Sequence, residues 1–177
     1  LVVDDVTSKQ RQRRPAPPFI TSTLQQEAAR KLGFSTSRTM RLAQGLYEGV
    51  AIGAEGTVGL ITYMRTDATH LAQDAVAEIR QVIAQRYGKQ ALPEQANVYK
   101  SKSKNAQEAH EAIRPTSALH TPEAMAPYLN PDQAKLYELI WKRTIACQMV
   151  PAVLNTVSVE LAAGPAHAFR ATGTTVV

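Results

Sequence analysis

The sequence predicts a mainly α, α+β fold: a winged-helix-like helical domain flanked by β-strand segments. Three observations carry this expectation. Amphipathic helical stretches fill the middle of the chain, and both ends read as extended alternating runs. Between the second and third helical stretches, a Gly-containing link leads into a short run with apolar and functional residues in alternation.

The end segments are LVVDDV at residues 1–6 and, after Pro151, TVSVEL and ATGTTVV. Gly164-Pro165 marks the turn between the last two. Because both ends lie inside extended runs, the chain is expected to be part of a larger protein. Residues 1–18 form a β segment with its basic, proline-rich connector RQRRPAPP. Residues 19–149 form a compact domain, and residues 150–177 return to the neighbouring β-rich domain.

Within 19–149, TSTLQQEAARKLGF reads as a helix capped by Thr21 or Ser22, with Leu24, Ala28 and Leu32 inward and Gly33 as its left-handed stop. STSRTMRLAQGLYE continues with Met40, Ala43, Leu46 and Tyr47 at helical spacing. The two helices and their short Gly turn have a helix-turn-helix shape, with Arg38 and Arg41 on the second. GVAIGAEGTVG links them to GLITYMRTD, read as a strand. DAVAEIRQVIAQRYG places Val76, Ile79, Val82, Ile83 and Tyr87 inward. YKSKSKNAQ is a polar loop with Lys100, Lys102 and Lys104. The last helix starts with Asn130 as N-cap, Pro131 at its first position and Gln133 as capping-box partner; Leu136, Leu139, Ile140 and Ile145 form its apolar stripe, with Trp141 beside it.

Bulk properties set the partner class. The net charge is +5, and residues 1–50 hold eight Lys/Arg against four Asp/Glu, while the remainder is nearly neutral. A basic N-terminal third suits a polyanion. A single cysteine, Cys147, excludes an internal disulfide and a cysteine-cluster zinc site, and its apolar helical surroundings mark it as a buried, inert thiol. No apolar run approaches the roughly 20 residues of a membrane span. Neither a P-loop nor an HExxH or Asp-x-Asp metal motif occurs.

Three constellations could carry chemistry. In an extended GLITYMRTD, Tyr63, Arg65 and Asp67 project to one face and Thr62, Met64 and Thr66 to the other. A free phenol is ionised to only about 0.1% at neutral pH, so a nucleophilic tyrosine needs help. A guanidinium on the same face can bind the phosphate under attack and neutralise its developing charge. The alternative is a surface ladder in which Arg65 pairs with Asp67. In EAHEAIRP (108–115), Pro115 disfavours helix at Arg114, which is then presented from extended backbone. His110 could hold a phosphate oxygen or protonate a leaving alkoxide, or it could be a solvated surface residue. Ser35, Thr36 and Ser37 open the second helix, either as a phosphate seat or as ordinary caps.

In this order, PPFITSTLQQEAARKLGFSTSRTMRLAQGLYE, GLITYMRTD and EAHEAIRPT resemble the central part of bacterial DNA topoisomerase I, the type IA topoisomerases. The likeness covers Pro17 to about Met149 and is weaker in both end segments. It implies a winged-helix-like (CAP-like) active-site tyrosine domain beside a β-rich, toroid-forming domain. By the same likeness, Tyr63 attacks a phosphodiester of single-stranded DNA to give a 5′-phosphotyrosine, Arg65 positions the scissile phosphate and His110 supports phosphate binding and cleavage. Asp67 is carried over as an orienter of Arg65. Charge and position add Arg38, Arg41 and Arg114 as DNA contacts. The implied cofactor is Mg²⁺, bound in the full-length enzyme by a domain outside this chain, and no nucleotide is required. The implied partners are single-stranded and underwound DNA and the remaining domains of the parent chain; no membrane is involved. The implied compartment is cytoplasmic, at the nucleoid, and the chain by itself is expected not to relax plasmids. Three rivals differ: a non-catalytic helix-turn-helix DNA-binding module, a tyrosine recombinase and a rolling-circle nuclease. The last two would be expected to carry further arginines or a histidine metal cluster. The glycine-rich link GVAIGAEGTV could also serve as a hinge.

Overall fold

The computed structural model describes residues 1–99 and 110–177. The chain divides into two compact units, Leu1–Pro15 with Val150–Val177, and Ala16–Met149. The lysine-rich loop at Lys100, Lys102 and Lys104 lies outside the described residues.

The first unit is a three-stranded antiparallel sheet in the order β1 (Val2–Arg13), β4 (Ala152–Ala162), β5 (Ala168–Val176). Val2 pairs with Ala162 and Arg13 with Ala152, so the first and last parts of the sequence share one sheet, with a register irregularity between Val3 and Asp5. Side-chain alternation puts Thr7, Lys9 and Arg11 on the face that also carries Thr156, Ser158 and Arg170. Hydroxyl pairs cross that face between Thr156 and Thr174 (3.3 Å) and between Ser158 and Thr172 (3.2 Å), and Arg170 pairs with Glu160. The β4–β5 turn passes through Gly164 at φ 71°, a left-handed conformation that glycine adopts without a Cβ clash.

The second unit is built on α1 (Thr21–Leu32), α2 (Thr36–Glu48), α3 (Gln73–Tyr87), the short α4 (Pro122–Met125) and α5 (Pro131–Cys147). Between α2 and α3 lies a hairpin of two-residue strands, β2 (Val50–Ala51) and β3 (Thr57–Val58). Its core gathers the inward faces of all the long helices: Leu24 and Ala28, Ala43 and Leu46, Ile79 and Ile83, Leu136 and Ile140. Asn130 accepts from Asp132 and Gln133 N–H while the Gln133 side chain returns to Asn130 N–H, the capping box expected from NPDQ. The two buried aromatics of α5 have their polar ends satisfied: Tyr137 donates to His120 O at 2.6 Å and Trp141 Nε1 to Ala118 O at 3.0 Å. At the other end of α5, Asn97 Nδ2 donates to Cys147 O and Met149 O, both at 3.0 Å. Burial raises the Cys147 thiol to about 12, as befits an inert packing residue.

Three expectations are corrected. Tyr87 does not face inward: as the last residue of α3 it lies past the buried Ile79, Val82 and Ile83 and is exposed. Neither Thr21 nor Ser22 caps α1, because Thr21 is its first helical residue and Ile20 is the N-cap; the Ile20 N–H donates instead to Thr23 Oγ1 at 3.0 Å. Gly33 does end the helix in the left-handed region, at φ 68°. Nor is 59–67 a strand. It is irregular backbone with one isolated bridge, Ile61 to Pro115. The reason lies in where its polar groups go. Leu60 N–H donates to Leu46 O at the end of α2, Thr62 N–H to Arg114 O, and Thr66 O accepts from Thr21 N–H at the start of α1. Three separate elements satisfy the segment, so no continuous ladder can form.

Candidate active site

Although 59–67 is not a strand, the alternation survives from Thr62 to Asp67. Ile61 and Met64 are buried, Thr62 and Thr66 are half-buried, and Tyr63, Arg65 and Asp67 are exposed. Met64 has no exposed surface at all, whereas Tyr63 keeps 41%. With Leu60, which is also fully buried, these apolar side chains are pegs that seat the loop in the core, and the three functional side chains are what they leave outside.

The loop is braced at both ends by threonines. Thr62 Oγ1 donates to Ala112 O at 2.7 Å and accepts from Arg114 N–H at 3.0 Å, fixing the residue before Tyr63 to the EAHEAIRP segment. Its described residues, 110–115, form no helix, as Pro115 requires, and bridges run from Ile113 to Phe19 and from Pro115 to Ile61. His110 lies exposed at its start, two residues before the Thr62-bonded Ala112. Thr66 is held by Thr21.

Tyr63 has an aromatic neighbour that composition and spacing did not point to. Tyr47, at the end of α2, meets it edge-on with ring centroids 5.3 Å apart and planes at 62°. The approach is possible because residue 59 is glycine: a Cβ there would stand 2.6 Å from Tyr47 O.

The arginines separate into two groups. Arg65 and Arg41 are exposed, and among the described residues neither forms an ion pair; in particular none joins Arg65 to Asp67. Arg38 is engaged, stacking 4.7 Å over the Phe34 ring and pairing with Asp132 across to α5. Nine residues of helix, about 13 Å, separate it from Tyr47. Arg114 is consumed locally: it donates to Glu111 Oε2 at 2.6 Å, Pro115 O at 2.9 Å and Thr116 O at 3.3 Å, and its side chain is only 13% exposed. Ser35 is the N-cap of α2, accepting from Arg38 N–H at 3.2 Å. Among the described residues no three His, Cys, Asp or Glu side chains converge as a metal cluster. No helix of the described residues is long and apolar enough to cross a membrane.

An exposed phenol and guanidinium on one braced loop, beside a histidine-bearing segment, form a centre suited to a phosphodiester. Comparison with known proteins agrees on the class: a family model described as DNA topoisomerase matches residues 1–177, and the chain belongs to that family. The DNA topoisomerase 1 of Xylella fastidiosa (strain Temecula1 / ATCC 700964) is 68% identical over 177 residues, covering all of this chain and 22% of that protein. The DNA topoisomerase 1 of Rickettsia felis is 57% identical over 175 residues, covering 98% and 22% respectively. Full-length topoisomerase I from Thermotoga maritima, a solved structure, matches with TM-score 0.78 and 43% identity over 99% of this chain and 27% of that one. The chain thus spans about 22% of the length of the curated relatives it matches.

Gly59→Ala is expected to lower stability by about 1–3 kcal/mol, because the Tyr47 carbonyl in its way is backbone and cannot rotate aside. A thermal melt checks it. A substitution that leaves the midpoint unchanged would mean that Tyr47 is not held where the structure has it.

Proposed function

We propose that this chain carries the strand-cutting centre of a type IA DNA topoisomerase that works as part of a longer enzyme. Tyr63 is the nucleophile. Its oxygen bonds to a phosphorus of single-stranded DNA as the bond from phosphorus to the 3′ oxygen breaks. The phenol gives up its proton, the departing 3′ oxygen gains one, and the products are a 5′-phosphotyrosine and a free 3′-hydroxyl. One phosphodiester replaces another, so the hydroxyl can attack back and reseal the strand without a nucleotide. Between the two steps the intact strand passes, and negative supercoils relax. The observation that carries this reading is Tyr63 and Arg65 exposed on either side of the fully buried Met64, on a loop whose backbone is tied down.

Arg65 grips the phosphate and offsets charge that develops on it, a task for a planar fork of donors. We assign His110, exposed on the segment that Thr62 grips, to steadying the same phosphate or supplying the leaving oxygen's proton. Arg41, exposed on α2, is read as a backbone contact, and Asp67 as an orienter of Arg65 once DNA is bound. Arg38 and Arg114 already have partners, so we assign them to bracing: Arg38 ties α2 to α5, and Arg114 stiffens the segment that Thr62 grips. We read the α1–α2 pair followed by the β2–β3 hairpin as winged-helix-like, and the β unit as part of a toroid-forming domain. Mg²⁺ is assigned to a domain of the full-length enzyme outside this chain, from which it would neutralise phosphate charge. The partners are single-stranded and underwound DNA and the other domains of the longer enzyme, in the cytoplasm at the nucleoid. By itself the chain is not expected to relax plasmids.

In the full-length enzyme, Tyr63→Phe is expected to abolish the covalent DNA adduct trapped by denaturant while oligonucleotide binding persists. An adduct that survives this change would assign the nucleophile elsewhere, and a 3′-linked adduct would point to a recombinase-like centre. Arg65→Lys keeps the charge but loses the bidentate fork, so single-turnover cleavage should slow by roughly tenfold or more. Unaltered cleavage would remove Arg65 from the phosphate.

A further inference from the structure

The motif PPFITSTLQQEA has no part in the chemistry proposed above, yet its Thr21 makes an unusual set of bonds. Its hydroxyl is 2.8 Å from Met64 O and 3.1 Å from Thr66 O, 43 and 45 residues away in sequence, and both carbonyls share its one proton. The same oxygen accepts from Thr66 N–H at 2.9 Å. The Thr21 N–H adds a bond to Thr66 O at 3.0 Å.

These contacts have a specific geometric effect. Met64 O belongs to the peptide unit before the Arg65 Cα, and Thr66 N–H to the unit after it. One hydroxyl therefore fixes both peptide planes that meet at Arg65. With both planes fixed, φ and ψ of Arg65 are fixed, and so is the direction in which its side chain leaves the backbone. The hydroxyl does not serve its own helix, since Thr23 satisfies the N-cap. Nor is it needed merely to hold the loop to the core, which the buried Met64 side chain already does.

Resting on the assignment of Arg65 to the scissile phosphate, we propose that Thr21 is the positioning residue for Arg65. It aims a guanidinium that would otherwise sit at the mercy of an irregular loop. The loop carries no helix or strand ladder at this point, so aim must come from outside it. Thr21 supplies it from the rigid first turn of α1.

The test uses the full-length enzyme and single-turnover formation of the tyrosine-linked adduct on a single-stranded oligonucleotide, with oligonucleotide affinity measured alongside. Thr21→Val keeps the shape and removes the hydroxyl; Thr21→Ser keeps the hydroxyl. The valine variant is expected to cleave roughly tenfold or more slowly at nearly unchanged affinity, with serine within about threefold of the parent. Combined with Arg65→Lys, the valine change should cost less than about threefold more, because two changes that act through one group are not additive. A purely structural role would instead give equal losses in both backgrounds. That result, or a valine variant that cleaves at the parental rate, overturns the proposal. If valine at this position prevents folding, judged by thermal unfolding, Thr21→Ala takes its place in the same comparison. A parental enzyme that forms no adduct at all sinks the proposed function and this inference together, whereas a normal parental adduct with an unaffected valine variant sinks only the inference.

Discussion

Backbone hydrogen bonding between the tyrosine loop and three other elements is the constraint on which the site depends. A nucleophile that must meet a polymer cannot be buried, and an exposed side chain on irregular backbone is ordinarily poorly aimed. Here the conflict is resolved by dividing the work. Ile61 and Met64 supply depth, because both are sunk in the core. Leu46 O, Arg114 O and Thr21 supply direction, each from a different element. Every one of these partners is either at a helix end or on a non-helical segment with its own bridges. The loop is therefore as fixed as its surroundings while its working face remains open.

How much of this was legible in the sequence varies with how local the signal is. The start of helix α5 is legible, since Asn130, Pro131 and Gln133 lie within four residues of one another and interact without help from the rest of the chain, whereas the full burial of Tyr137 is not. Gly33 was legible for the same reason. The segment 59–67 shows the limit. Its period-two pattern correctly gave which side chains face out, but a pattern of exposure does not say where the N–H and C=O groups go. A strand and a loop pegged by alternate residues look alike at that level. Thr21 was read as a cap because hydroxyls near a helix start usually are caps. Its actual partners, Met64 and Thr66, are fixed only once the fold brings the loop to the helix.

The arginines make the same point in charge. A basic N-terminal third suggested a polyanion partner, and Arg38, Arg41 and Arg114 were read alike. The structure separates them by what each already holds. An arginine stacked on Phe34 and paired with Asp132, or wrapped onto two carbonyls and Glu111, would forfeit those bonds to reach a phosphate. Among the described residues, Arg65 has no ion pair to forfeit. That difference is set by three-dimensional neighbours, and no count of positive charges contains it.

The pairing of Tyr63 with Tyr47 and the brace at Thr21 act on the two members of the centre separately. Tyr47 meets the ring of Tyr63, the proposed nucleophile, and Thr21 bonds to the backbone on both sides of Arg65, the proposed phosphate-binding residue. They come from opposite ends of the helical pair, the C-terminal end of α2 and the N-terminal end of α1. A shift of α1 against α2 would thus move Arg65 and Tyr63 by different amounts, so their relative geometry reports on the packing of these two helices. That packing rests on small and apolar residues, Leu24 and Ala28 on α1 and Ala43 and Leu46 on α2, all with no exposed surface. Close-packed interfaces of this kind resist gradual deformation. The helical pair therefore has a mechanical role apart from any DNA contact: it links the placement of Tyr63, through Tyr47, to that of Arg65, through Thr21.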